Sequence, residues 1–448
     1  MGFLALILFL LIFILILKGY PVAFTLGGVS ILFALVVMFI NPDIIRFADF
    51  YLLPSRFIGT IQNSMLMAVP LFIFMGIMLE KSGLAASLLE TMAILFGKFK
   101  GGLAVSVIIV GALLAASTGI VGATVVTMGL ISLPTMLKRG YRPELATGVI
   151  ASSGTLGQII PPSVVLILLA EQISSSSRGG TSVDVGTMFQ AAIFPGFLLV
   201  LAYIIYVLII SYLKPEWAPS MPQVEIDALK GDGFFWKVIR AFVLPMLLII
   251  AVLGSIFAGI ASPTEAAAVG AAGATILTII QKSFSISVLK DVMRQTMNLT
   301  AMVFWILLGA TTFTLVFRTL GGDHYLIELI NSADLSPYMF LAIVMIVVFI
   351  AGFFIDFIEI IFIFVPVITP IFNAYDIDML WVGILLAMNL QTSFLTPPFG
   401  FSLFYLKGVA PPEITTRQLY TGIVPFIIIQ IIFIALIIIF PGILYVFN

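Results

Sequence analysis

Two stretches decide how this chain folds: Ser152-Ser153-Gly154-Thr155-Leu156-Gly157-Gln158-Ile159-Ile160-Pro161-Pro162-Ser163, and Asn389-Leu390-Gln391-Thr392-Ser393-Phe394-Leu395-Thr396-Pro397-Pro398-Phe399-Gly400. Each lies at the centre of an otherwise apolar run, 145–170 and 379–406. Proline removes an amide donor and clashes with the preceding turn. A helix carrying either pair must therefore break at mid-run and release carbonyls from its hydrogen-bond ladder. A fold with two such breaks needs a reason to keep them.

The solvent for most of the chain is lipid. Hydrophobic residues make up 62% of the 448 positions and charged residues 9%, against roughly 45–50% and 25% in a soluble domain. With a net charge of −1 and no long basic run, neither nucleic acid nor an anionic membrane surface is an evident partner, and charge matters here by position. With no cysteine and one histidine, His324, disulfide frameworks, thiolate metal sites and Cys/His nucleophiles are excluded. The first apolar run, Phe3 to Leu17, has neither a basic segment before it nor a small-residue cleavage pattern after it, and reads as a retained membrane segment.

A spanning helix takes about 20 apolar residues. Candidate spans fall near 3–17, 21–40, 63–79, 145–170 and 188–213, then near 241–258, 263–281, 297–317, 379–406 and 420–446. Two further stretches, Leu103 to Leu137 and Met339 to Phe372, would each be roughly 50 Å long as one helix, too long for a single span. Each must fold back, at Ala116-Ser117-Thr118-Gly119 in the first and at Gly352-Phe353-Phe354-Ile355-Asp356, followed by Glu359, in the second. Their short arms favour re-entrant hairpins, tolerated where protein shields the tip or the tip lines a cavity. Two short full spans are the alternative.

The halves resemble each other. Pro21 to Gly28 is similar to Pro263 to Gly270, at an offset of 242; Pro161-Pro162 matches Pro397-Pro398, and Pro134 matches Pro370, both at an offset of 236. Five crossings per half is an odd number, so the second copy runs through the membrane upside down. The expected architecture is an all-α integral membrane protein of two inverted-topology repeats, each with five spans, one of them a broken helix, plus one re-entrant helical hairpin. The first repeat is 1–213 (hairpin 101–137, broken span 145–170) and the second 241–448 (hairpin 338–374, broken span 379–406), joined by a cytoplasmic linker at 214–240. With the N-terminus outside, 16 of the 20 Lys and Arg residues fall in inner loops, and Arg46, Arg56, Arg178 and Arg318 fall outside. Both termini are then periplasmic.

The breaks are where chemistry would sit. Hard cations such as Na⁺ take oxygen ligands. Ser152, Ser153, Thr155, Thr392 and Ser393, the amide oxygens of Asn389 and Gln391, and freed carbonyls beside Gly154 supply them, with Ser153, Thr155, Asn389 and Thr392 leading. Close packing of small residues around a simple kink is the bland alternative. The tips contribute Ser117, Thr118, Gly119 and Gly352. Half-helix N-termini at mid-depth carry spare amides and partial positive charge that suit a carboxylate. Neither tip nor break contains Lys or Arg, so an anionic substrate would be held by amides, hydroxyls and Asn389, with co-bound cations offsetting its charge. Asp356, with Glu359 beside it, could bind Na⁺, carry a proton or merely cap the second arm of its hairpin. Ser262-Pro263-Thr264-Glu265 reads as a capping box. Glu171 and Gln172 end a span and open the polar segment Ser174 to Asp184 on the outer face, read as a solvated loop or a docking surface, and His324 reads as a loop residue.

Val69-Pro70-Leu71-Phe72-Ile73-Phe74-Met75-Gly76, Gly154-Thr155-Leu156-Gly157 running to Ile160-Pro161-Pro162-Ser163, Ser262-Pro263-Thr264-Glu265-Ala266 and Leu395-Thr396-Pro397-Pro398-Phe399-Gly400 together resemble the large membrane subunit of tripartite ATP-independent periplasmic (TRAP) transporters, within the wider ion transporter superfamily. The resemblance covers nearly the whole chain. It implies sodium-coupled uptake of a small organic anion such as a dicarboxylate, an elevator mechanism, a bacterial inner-membrane location, and two partners: a small membrane subunit and a periplasmic solute-binding protein. No extra N-terminal helices suggest a fused small subunit, so a separate one is expected. No cofactor is expected beyond Na⁺ as coupling ion. A self-sufficient sodium/carboxylate symporter is the competing reading. An intramembrane enzyme would need a convergent nucleophile or acid pair, and an aspartyl protease two aspartates on facing spans, whereas Asp356 is the one deep aspartate in the sequence.

Overall fold

A computed structural model describes residues 2–119, 121–177, 182–230 and 233–446. Arg178, counted above among the outer cations, and the side chains of Ser117 and Thr118 lie outside the described residues. The architecture is all-helical. Nine helices among the described residues are long and apolar enough to cross a membrane.

The outermost helices turn one apolar face to the protein and the rest outward. Phe3–Leu17 buries Ala5, Leu8, Ile12 and Ile16 at helical spacing. Val22–Ile40, which contains a π-turn at Thr25–Val29, leaves Phe39 85% exposed. In lipid such exposure is favourable, and the useful contrast is with the helices that show none. Every residue of Met379–Leu395 is buried, as is every residue from Leu145 to the end of Pro143–Thr155. The broken spans therefore form the centre of the molecule. Their irregular backbone is sheltered by protein, the condition under which a membrane protein tolerates it.

Both long stretches fold back as helix pairs. Gly102–Thr118 and Val121–Lys138 pack together, as do Pro337–Ala351 and Phe357–Ala374. Gly119 joins the first pair with φ +61°, in the left-handed region glycine adopts without steric penalty. Small residues allow close crossings. A Cβ on Gly148 would lie 2.2 Å from the Gly422 carbonyl oxygen, and one on Gly422 would lie 2.1 Å from that of Glu144, so Pro143–Thr155 crosses Thr416–Ile439 nearly backbone to backbone.

Several elements differ from the sequence reading. His324 is helical, within Gly322–Ser332. The segment is too polar to register as an apolar run, yet it starts from Gly321 at φ +75° and packs against Phe3–Leu17. Leu84–Phe96 and Leu52–Ile61 are likewise helices between spans. The span read at 297–317 is the later part of a 34-residue helix, Ile286–Thr319, whose first turns are tied down by a Lys81–Asp291 ion pair at 2.8 Å. The connection at 214–240 contains the helix Gln223–Leu229, and from Phe234 it is helix continuous with the next span, Phe234–Phe257. Glu171 and Gln172 stand near the end of a span, as the sequence reads, but are not solvated. They lie in Val164–Ser176 at 7% and 9% exposure, because Asn63 donates a 2.8 Å hydrogen bond to the Glu171 carboxylate and holds it inside. The capping box at Ser262 is present: Glu265 N–H donates to Ser262 Oγ, and Ser262 N–H to the Glu265 carboxylate.

Candidate functional site

The two breaks are built alike. In the first, Pro143–Thr155 tightens into a 3-10 turn at Leu156–Gln158, passes through the cis Pro161-Pro162 bond and restarts at Val164. In the second, Met379–Leu395 ends before the cis Pro397-Pro398 bond, and Phe401–Val409 follows. After each proline pair a serine reaches back to a carbonyl the break has freed. Ser163 Oγ donates to Gln158 O at 3.0 Å, and Ser402 Oγ to Phe394 O at 3.1 Å. These carbonyls are already satisfied within the chain, a role the sequence reading assigned to no residue.

Each hairpin tip lies against its own break. A Cβ on Gly111 would fall 2.5 Å from Ser153 Cβ, one on Gly157 2.6 Å from Ala115 O, and one on Gly119 3.2 Å from Val164 Cγ2. In the second half, a Cβ on Gly352 would fall 2.1 Å from Ser393 Oγ, and Asn389 Nδ2 donates a 2.7 Å hydrogen bond to Met345 O in the first arm of the hairpin. The halves also interlock. Val121–Lys138 packs on Phe401–Val409, Phe357–Ala374 packs on Val164–Ser176, and Met379–Leu395 meets both Pro143–Thr155 and the Leu156–Gln158 turn. The residues singled out from sequence thus gather in two hairpin-plus-break clusters that abut at the centre.

The polarity of these groups restricts what they can bind. Ser152 Oγ donates to Val149 O, Ser153 Oγ to Ile150 O, Thr155 Oγ1 to Ser152 O, Thr392 Oγ1 to Met388 O and Ser393 Oγ to Leu390 O, all at 2.8–3.2 Å. Each hydroxyl proton is engaged by its own helix. What remains of the hydroxyls toward any ligand is oxygen lone pairs, and the Asn389 amide spends one of its two N–H donors on Met345 O and keeps the other together with its oxygen. The hydroxyls therefore fit a cation, while N–H donors that suit a carboxylate are left at the Asn389, Gln158 and Gln391 amides. The Gln158 and Gln391 amides are fully buried, and neither the oxygen nor the nitrogen of either finds a hydrogen-bond partner in the protein. Gln391 was a sequence candidate, but Gln158 was missed. The signal available was an amide three residues before a proline pair in an otherwise apolar span.

Asp356 occupies the start of Phe357–Ala374. Its carboxylate accepts the Phe357 N–H at 2.7 Å, and Glu359 accepts the Asp356 N–H at 3.3 Å. The two acids form a capping box, so this helix N-terminus is already matched by carboxylate and is not an open anion site. Among the described residues no group of three or more His, Cys, Asp or Glu side chains is arranged to hold a metal. Toward the end of Val164–Ser176, a cavity of about 240 Å³ is lined by Asn63, Glu171, Arg56 and Arg318, and Arg318 Nη2 donates to Ser176 O at 3.1 Å. The guanidinium groups of Arg56 and Arg318 thus stand together at this cavity, off the central clusters.

Residues 9–443 match the family described as "Tripartite ATP-independent periplasmic transporter, DctM component". The C4-dicarboxylate TRAP transporter large permease protein DctM of Pseudomonas aeruginosa is 31% identical over 413 residues, covering 92% of this chain and 91% of that protein. Its counterpart of the same name in Rhodobacter capsulatus is 30% identical over 448 residues, covering 98% and 97%. Among solved structures, the Alcanivorax borkumensis YdaH transporter superposes with a TM-score of 0.65 over 89% of this chain and 90% of that one, at 14% identity, a likeness of fold alone.

Proposed function

This chain belongs to the DctM family, the large membrane subunit of TRAP transporters, and from that premise we propose that it carries a small organic anion inward on a sodium gradient, binding both in the paired hairpin-and-break clusters. Family membership makes it a multi-pass inner-membrane transport protein that works with a small membrane subunit and a periplasmic binding protein. The finer reading rests on one observation. The hydroxyls of both breaks donate their protons to their own helices and leave oxygen lone pairs toward a ligand, as cation sites require.

The physics of coupling follows. With no Lys or Arg in the clusters, a carboxylate brought to mid-depth would be an unpaired charge in low dielectric, which costs several kcal/mol. Sodium ions held beside it by Ser153, Thr155, Asn389, Thr392 and the Gln158 and Gln391 amide oxygens remove that penalty, so substrate and ions travel together. Tips lying level with the mid-span breaks support re-entrant hairpins. The interlocked hairpins and broken spans form one packed block, which supports their sliding together, elevator-fashion, against the outer helices. The distribution of basic residues supports an outside N-terminus.

The test is uptake of labelled C4-dicarboxylates into proteoliposomes holding this chain and its small subunit, with sodium gradient and binding protein each present or withheld. Uptake that needs both supports the proposal. Sodium-driven uptake without the binding protein would point to a self-sufficient symporter, and uptake indifferent to sodium would overturn the ion sites.

A further inference from the structure

Away from the broken spans, a cavity of about 610 Å³ opens where Ser64–Lys81 ends, between the starts of Leu84–Phe96 and Phe234–Phe257 and the end of Pro263–Ile280. Lys237, Arg240 and Lys282 line it, with Trp236 at its edge. Lys237 is paired with Glu90 at 2.9 Å. No carboxylate pairs with Arg240 or Lys282 among the described residues. Gln281 lines the same cavity, and its buried Nε2 has no hydrogen-bond partner in the chain. Two uncompensated cations and an orphaned amide N–H converging on one cavity call for an anion with several acceptor oxygens.

Its surroundings say which kind. Below the cations, Ile276, Ile279 and Ile280 of one helix and Leu247 and Ile250 of its neighbour are 43–56% exposed and face away from the protein. Phe235 and Trp236, 70% and 62% exposed, sit at the rim as interfacial aromatics do. The cavity is therefore a polar head site standing on an apolar, lipid-facing stripe. The topology proposed from the distribution of basic residues puts it on the cytoplasmic side, where basic pockets between helices meet anionic headgroups. We propose that this cavity binds the phosphate of an anionic phospholipid, through Arg240, Lys282 and Gln281, with the acyl chains lying along the stripe between Phe234–Phe257 and Pro263–Ile280. The site is separate from the transport clusters, and the proposal does not depend on sodium coupling.

Native mass spectrometry of the purified full chain in detergent tests it, titrating dioleoylphosphatidylglycerol, dioleoylphosphatidylcholine or inorganic phosphate. One phosphatidylglycerol should be retained more tightly than any phosphatidylcholine, and millimolar phosphate should not displace it. The double variant Arg240→Gln/Lys282→Gln should lose about 30-fold in affinity, and each single variant about fivefold. Lys98→Gln/Lys100→Gln, which removes exposed cations outside the cavity, should leave affinity unchanged. Equal retention of the two lipids, an undiminished affinity in the single and double variants, or an equal loss in the Lys98/Lys100 control overturns the site. Displacement by inorganic phosphate would show a phosphate pocket with no lipid specificity and overturns it as well.

Discussion

Replacing Gln391 by leucine separates a dry packing position from one filled by an ion. The Gln391 side chain is fully buried, and both polar ends of its amide lack partners within the chain. A buried amide left unmatched costs about 1–3 kcal/mol. Leucine fills a comparable space without that penalty. At an unfolding entropy of roughly 2.1 cal/mol/K per residue over the chain, the gain corresponds to a rise of about 1–3 °C in unfolding temperature. In sodium-free buffer, Gln391→Leu should therefore unfold at a higher temperature than the natural protein. Adding sodium should reverse the order of benefit. The natural protein gains stability by binding the ion, whereas the variant, short of one ligand oxygen, should bind about tenfold more weakly and forgo about 1.4 kcal/mol of that gain. Intrinsic tryptophan fluorescence during heating, with choline replacing sodium, reads both effects. A variant less stable than the natural protein without sodium would show that the amide has partners of its own. A variant with an undiminished sodium increment would show that it faces no ion. Either result refutes the reasoning.

Asn389→Ala and Ser153→Ala should each raise the sodium concentration needed for half-maximal uptake while leaving the protein inserted and folded; unchanged sodium dependence in both would remove these residues from the ion sites. Gly352→Ala should destabilise by about 1–3 kcal/mol, because its new methyl would meet Ser393 Oγ at 2.1 Å and Ser393 Cβ at 2.7 Å. Adding Ser393→Gly should recover much of the loss, and strictly additive effects on unfolding temperature would mean that tip and break do not touch. Ser262→Ala, which removes the acceptor for the Glu265 N–H, should cost about 1 kcal/mol in thermal stability. Its sodium dependence should match the natural protein's, since the box only starts the helix Pro263–Ile280.

What the sequence determined by itself was the medium, the two breaks and the two turns-back. Apolar runs must match a bilayer's thickness whatever they pack against, and paired prolines interrupt a helix in any environment. The helix boundaries at Phe3–Leu17, Ser64–Lys81 and Pro263–Ile280 were legible for that reason, as was the capping box at Ser262, which is a contact within four residues. Only the tertiary structure decided which polar groups remain available. Where the Asn389 amide spends a donor depends on Met345 O, 44 positions away. Whether Glu171 is solvated depends on Asn63, 108 positions away. The orphaned amides of Gln158 and Gln391, and the cations that meet at Arg240 and Lys282, are likewise facts of neighbourhood. Local propensity follows from the order of residues along the chain, whereas the satisfaction of a buried polar group is settled by partners from distant segments, which only packing brings within hydrogen-bond reach.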